Sequence, residues 1–178
     1  MTTGGAVNQT ILSGITYLPF GPVSGWTDGA GQQTTRTYDA DYRLTSITAG
    51  AIQDGRYFYN DADNITNWDD EDDAVLDQAF TYDLLDRLTG AQGGYGALGF
   101  SYDAVDNRLT KTGDGSATYY TYANDSNRLL QTTGAEPDNY SYDSAGNLIQ
   151  DNEFSYVYNQ ANRLAEVTQV LRLALFRG

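Results

Sequence analysis

The feature that most constrains this chain is a tyrosine that returns about every twenty residues inside the same short phrase. The phrase reads RTYDADYRLTSIT from Arg36, YFYNDADNITNW from Tyr57, FTYDLLDRLTGA from Phe80 and FSYDAVDNRLTKT from Phe100. It continues as YTYANDSNRLLQT from Tyr120, YSYDSAGNLIQD from Tyr140 and YVYNQANRLAEVT from Tyr156. The anchoring tyrosines are Tyr38, Tyr59, Tyr82, Tyr102, Tyr122, Tyr142 and Tyr158, separated by 21, 23, 20, 20, 20 and 16 residues. A leucine or isoleucine follows each by six or seven positions: Leu44, Ile65, Leu88, Leu109, Leu129, Leu148 and Leu164. Seven copies at this regularity define a repeat chain, in which each unit is one supersecondary element.

Each unit reads as strand, turn, strand. Six of the seven copies carry an aromatic two residues before the anchor, at Tyr57, Phe80, Phe100, Tyr120, Tyr140 and Tyr156, whereas the first has Arg36. A period of two places both rings on one face of a strand. Asp or Asn then follows in six copies, at Asp39, Asn60, Asp83, Asp103, Asp143 and Asn159, with Ala123 as the exception. These side chains bond the backbone amides just ahead and open a turn. The closing position holds Tyr42, Asp63, Asp86, Asn107, Asn127, Gly146 and Asn162, mostly residues that tolerate left-handed backbone angles. Leu or Ile then starts the return strand, and Gly-rich stretches such as Gly113–Ser116 lead to the next unit.

The expected fold class is therefore all-β, with repetitive antiparallel hairpins forming one extended, curved sheet. One hairpin is not stable alone in water, but side-by-side hairpins cover one another's apolar faces. A buried ring removes roughly 150–250 Å² from water. Two rings and a leucine per unit are thus enough to predict a core shared between neighbours.

Composition narrows the chemistry. The net charge is −14, with a single lysine at Lys111, so nucleic-acid phosphates and anionic membrane surfaces are disfavoured partners. Cys and His are both absent, which removes disulfides, Cys/His zinc sites, thiol nucleophiles and a Ser-His-Asp triad. No apolar run is long enough to insert in a membrane as a helix, and residues 1–14 lack the pattern of a signal peptide.

Copies such as Tyr38-Asp39-Ala40-Asp41-Tyr42-Arg43-Leu44 closely resemble the unit of the RHS/YD-repeat family. Ile15–Pro22 also resembles a segment common in bacterial Rhs proteins. That family includes bacterial polymorphic toxins, the encapsulating component of insect-toxin complexes, and animal teneurins. The resemblance implies a strip of a hollow β-shell. Its partners would be the remainder of the shell and an enclosed C-terminal toxin domain, in a secreted or cell-surface parent protein. It carries over no catalytic residue, metal ligand or cofactor, so the expectation is a non-enzymatic structural segment. The alternative is a module that binds carbohydrate or a cell surface through its Tyr-rich face.

Three domain segments follow: a flexible 1–14, the repeat region 15–168 with seven units from about residue 36, and an atypical tail 169–178. The tail is apolar and basic, as expected of a truncated or frameshifted end or of a short capping helix. Two motifs offer competing chemistry. Gly94–Gly99 matches a dinucleotide fingerprint, which needs a helix after it, yet a repeat strand follows at Phe100. The acidic run Asp69–Asp73 offers oxygen ligands but lacks the spacing of a calcium loop, and reads better as a solvated link. As an open strip, the isolated chain is expected to be marginal in stability and prone to association.

Overall fold

The computed structural model describes residues 11–170, so most of the tail, 171–178, and residues 1–10 lie outside the described part. The chain divides into two compact units, Met1–Ala97 and Leu98–Gly178.

The first unit holds β1 (Leu12–Tyr17), β2 (Val23–Asp28), β3 (Gln33–Tyr38), β4 (Leu44–Ala49), β5 (Gln53–Tyr59), β6 (Ile65–Asp70), β7 (Gln78–Tyr82) and β8 (Leu88–Gly93). Each pairs antiparallel with the next, from β1–β2 through β7–β8. β1 begins at Leu12, inside the segment that the sequence sets apart as flexible. The second unit takes in β9 (Gly96–Tyr102, from Leu98 on), β10 (Arg108–Gly113), β11 (Ser116–Tyr122), β12 (Leu129–Gly134) and β13 (Asp138–Asn139). It continues with β14 (Ser141–Tyr142), β15 (Leu148–Gln150), β16 (Phe154–Tyr158) and β17 (Leu164–Gln169). Here too consecutive strands pair antiparallel, except at Tyr140. Its amide bonds the Leu130 carbonyl at 2.9 Å, after which the chain leaves β12 and pairs with β15. The fold is all-β, as the repeat predicts.

One register runs through every hairpin. Tyr38 faces Leu44, and the next pair is Thr37 with Ser46, so residue 45 is an extra, bulged residue on the return strand. The same step occurs at Tyr59/Ile65, Tyr82/Leu88, Tyr142/Leu148 and Tyr158/Leu164. It occurs once more, ahead of the first expected copy, at Tyr17/Val23. The Asx-anchored geometry also appears in a linking turn, where Asp28 Oδ1 accepts the Ala30 and Gln32 amides, both at 2.9 Å.

Two repeat positions differ from the sequence expectation. In the fourth hairpin Tyr102 faces Arg108, which makes Leu109 the bulged residue and leaves it exposed. The reason is turn length: the left-handed residue is Asp106 (φ 68°), not Asn107, so the return strand starts one residue earlier than the leucine. In the fifth hairpin Tyr122 faces Leu129, which makes that turn one residue longer, and Asn127 is not left-handed. Left-handed angles do occur at Tyr42 (62°), Asp63 (65°), Asp86 (60°), Gly146 (90°) and Asn162 (54°). Tyr42 is held there from outside its turn: its hydroxyl donates to the Pro19 carbonyl at 3.0 Å, and its ring lies against Gly21.

The core is thinner than the sequence implies. All seven anchor rings are half-buried. The only fully buried apolar residue among the described ones is Ala91, opposite Phe80, joined by Thr34, Thr118 and Thr132 on the ring-bearing face. Guanidinium groups fill much of the space between rings. Arg36 stacks on Trp26 at 4.8 Å, which accounts for an arginine where other copies have an aromatic. Arg43 stacks on Tyr59 at 4.9 Å and Arg108 on Tyr120 at 4.5 Å. The opposite face carries hydroxyl pairs such as Thr37/Thr45, Thr81/Thr89 and Ser101/Thr110, interrupted by exposed Phe58, Tyr119 and Val157. No anchor ring is fully enclosed.

Candidate functional site

The chemistry-bearing residues gather at the anchor turns, and what they do is fasten one hairpin to the next. The turn itself comes first. Asp39 Oδ1 accepts the amides of Asp41 (3.0 Å) and Arg43 (2.9 Å), while the Asp39 amide donates to the Arg43 carbonyl at 3.0 Å. Asn60, Asp83, Asp103, Asp143 and Asn159 repeat the two-amide grip at 2.9–3.1 Å. Where the residue is Asp, its second oxygen holds the side chain closing the turn: Arg43 Nε at 2.6 Å, Arg87 Nε at 2.8 Å, and the amides of Asn107 and Asn147 at 2.8 Å.

The second fastening crosses from repeat to repeat through the anchor tyrosine. The bulge leaves the carbonyl at the start of the return strand out of the regular ladder, and at five places the next anchor hydroxyl donates to it. Tyr59 reaches Leu44 O, Tyr82 reaches Ile65 O and Tyr38 reaches Val23 O, all at 2.8 Å. Tyr122 reaches Arg108 O at 3.0 Å and Tyr142 reaches Leu129 O at 2.9 Å. A part-buried carbonyl without a partner costs about 1–3 kcal/mol, so the hydroxyl and the bulge need each other. The tyrosines and the leucine-type positions therefore act as a pair across units. Leu44, Ile65, Leu88, Leu129 and Leu148 are half-buried, whereas Leu109 and Leu164 are exposed.

A third fastening runs along the turn tips. The residue that closes the anchor turn alternates strictly along the chain: Arg43, Asn64, Arg87, Asn107, Arg128, Asn147, Arg163. Several reach the residue just before the closing one in the following turn. Arg43 Nη1 meets Asp63 Oδ1 at 2.5 Å and Asn64 Nδ2 meets Asp86 Oδ1 at 2.7 Å. Asn107 and Asn147 donate to Asn127 and Asn162, each at 3.3 Å. The sequence reading missed this row; its signal is the Arg/Asn alternation, and its cross-repeat partners needed the register. The first hairpin was missed because Leu18 replaces the expected Asp; its signal was the 21-residue interval from Tyr17 to Tyr38, equal to that from Tyr38 to Tyr59.

These contacts shift the ionisation of the groups that make them. At Asp39 desolvation pushes the carboxyl up, but the bonds from Arg43 and two amides outweigh it and hold it below its ordinary value. Asp83 is lowered chiefly by Arg87, and Asp143 chiefly by Asn147. Partial burial raises the phenols of Tyr59, Tyr82, Tyr122 and Tyr142. Tyr156 is pushed up to about 12 because its hydroxyl is bonded to Asp151 Oδ2 at 2.6 Å. The acidic run is likewise engaged locally: Asp70 Oδ1 accepts the Asp72 and Asp73 amides at 3.0 Å, and Asp73 caps a single 3₁₀ turn, Ala74–Leu76. The described residues contain no grouping of three acidic or other ligand side chains placed to hold a metal. Gly96–Gly99 lies within β9, with no helix after it.

The geometry defines an all-β chain of antiparallel hairpins, five of whose anchor tyrosines bond back to the preceding hairpin. The RHS Repeat family model matches residues 17–51, from Tyr17 through the hairpin of Tyr38. The register of that matched segment recurs as far as the hairpin of Tyr158 and Leu164. Among solved structures it is similar to TcdB2-TccC3, with a TM-score of 0.78 at 20% identity over 96% of this chain and 11% of that one. It is also similar to a mutant Tc holotoxin pore of Photorhabdus luminescens (TM-score 0.62, 19% identity, 92% of this chain, 10% of that one). A third likeness is to TcdB2-TccC3-Cdc42 (0.57, 18%, 96% and 10%). Identities this low speak to the fold, and the chain spans about a tenth of the length of the chains it matches. No curated protein matches it in sequence.

Proposed function

We propose that this chain serves as a strip of wall in an RHS-type β-shell, the repeat region 15–168 forming the wall and the parent protein enclosing a C-terminal toxin domain. The observation that carries this reading is the one-sided burial of the repeat. Among the described residues every anchor ring is half-buried and none is fully enclosed, and the bonds between repeats join neighbouring hairpins, as from Tyr59 to Leu44 and from Tyr82 to Ile65. A wall needs that arrangement: lateral extension from hairpin to hairpin with the anchor rings lining one face. The similarity in fold to toxin-complex structures supports the same reading.

The test is protection of a passenger. The full-length parent protein is expressed with a reporter domain replacing whatever follows the repeats, and is treated with protease under native conditions. The reporter should survive until denaturant opens the repeats. A reporter cut as fast as the same domain free in solution would overturn the enclosure.

A further inference from the structure

The strict Arg/Asn alternation makes each arginine of the turn row comparable with the others. Arg43 has two carboxylates, Asp39 in its own turn at 2.6 Å and Asp63 in the next at 2.5 Å. Arg87 has Asp83 at 2.7 Å. Arg128 occupies the equivalent place in the fifth turn, and both carboxylate positions there have lost their acid. Ala123 stands where Asp39 stands, and Gly146 where Asp63 stands. Arg128 forms no ion pair among the described residues, although the chain carries a net charge of −14. It rests instead beside the ring of Tyr142, at 5.9 Å, and an added Cβ at Gly146 would meet its Nη2 at 2.9 Å. The guanidinium therefore lies against the bare backbone where another copy presents an aspartate.

The turn around it is open in the same sense. In six other turns one side-chain oxygen gathers two backbone amides, but Ala123 has none to offer the amides of Asp125 and Asn127. The only internal amide bonds are a 3.4 Å contact from Ser126 to the Ala123 carbonyl and the closing bond from Ala123 to Arg128 O at 2.9 Å. The Ser126 hydroxyl is shielded and has no partner. The turn thus holds two backbone amides with no side-chain oxygen to gather them, and beside it a forked cation lies where the next turn has lost its carboxylate.

We propose that Arg128 and the turn 123–128 form a carboxylate-binding site, which takes an aspartate or glutamate side chain from a segment laid along the turn edge. The inference is independent of the shell reading, because it rests on comparing turns within this chain. Arg43 and Arg87 show the pairing that the site lacks, and an incoming carboxylate restores it.

The experiment follows the arginine Nε–H resonances of the chain by NMR at neutral pH and constant ionic strength. Sodium acetate, a capped Gly-Glu-Gly peptide and sodium chloride are titrated separately. The Arg128 signal should move saturably with both carboxylates and not with chloride, while the Arg43 signal, already paired, stays in place. Saturation at a tenfold lower concentration of peptide than of acetate marks a side-chain ligand, and the reverse marks a small free acid. Ala123→Asp and Gly146→Asp each supply an internal carboxylate and should reduce the acetate shift at least severalfold. The proposal is overturned if Arg128 responds no more than Arg43, or if neither variant blunts the response.

Discussion

The first aspartate turn, Asp39–Arg43, and the fifth, Ala123–Arg128, do the same topological work with different chemistry. In the first, one carboxylate ties two amides and an arginine, and that arginine goes on to the next repeat. In the fifth the carboxylate is gone and the loop is one residue longer, yet the strands on either side keep the shared register and bulge. The hairpin is therefore specified by its strands and its tyrosine. The polar turn tightens a connection that would form without it.

The largest effect that would break this comparison comes from the anchors. Tyr59→Ala and Tyr142→Ala each remove a half-buried ring and a cross-repeat bond, and should each cost about 2–3 kcal/mol in urea unfolding. The costs should match, although only Tyr59 follows an intact turn. A much smaller loss at Tyr142 would mean that the fifth region is not clamped by its ring. Next, Tyr59→Phe keeps the ring and strands the Leu44 carbonyl, for a loss of about 1 kcal/mol by the same measurement.

The turns themselves weigh less. Asp39→Ala should lower the melting temperature by a few degrees, whereas Ala123→Gly should leave it nearly unchanged. The same contrast has a pH signature. Asp39, Asp83 and Asp143 have lowered folded values, so their contribution is complete above the ordinary carboxylate range and disappears as pH falls through those lowered values. Thermal melts between neutral pH and pH ~3 should show that loss, and the Arg43 amide should titrate with Asp39. The phenols give the opposite sign: raised folded values contribute fully below pH ~10 and are lost as pH climbs through them. Smallest of all, Asn64→Ala cuts one exposed bond to Asp86 and should cost about 0.5 kcal/mol.

Much of this was legible without coordinates. Tyrosine spacing, the aromatic two residues earlier and the Asx residue after the anchor were enough for the hairpin and for which face carries the rings. What escaped was anything decided by a single residue of register. Leu109 reads as the apolar return residue, but Arg108 takes that place because Asp106 already closes the turn. Tyr17 was passed over because Leu18 removes the polar signature, though the hydrogen-bond frame survives in the Leu18 amide to Pro22 carbonyl bond at 3.0 Å. The cross-repeat hydroxyl bonds escaped for a deeper reason: a bulged carbonyl leaves no mark in sequence. The depth of the core was overestimated as well, since alternation reveals which face is apolar but not whether a second layer covers it.

The hydroxyl bonds also give the strip an arrow. Tyr38, Tyr59, Tyr82, Tyr122 and Tyr142 all reach backwards, to a carbonyl already laid down by the hairpin before. As the chain leaves the ribosome, a newly formed hairpin can seal its predecessor at once, while its own seam waits for the next twenty or so residues. Assembly then proceeds like a zip with one slider, and a stall in synthesis leaves only the newest seam undone.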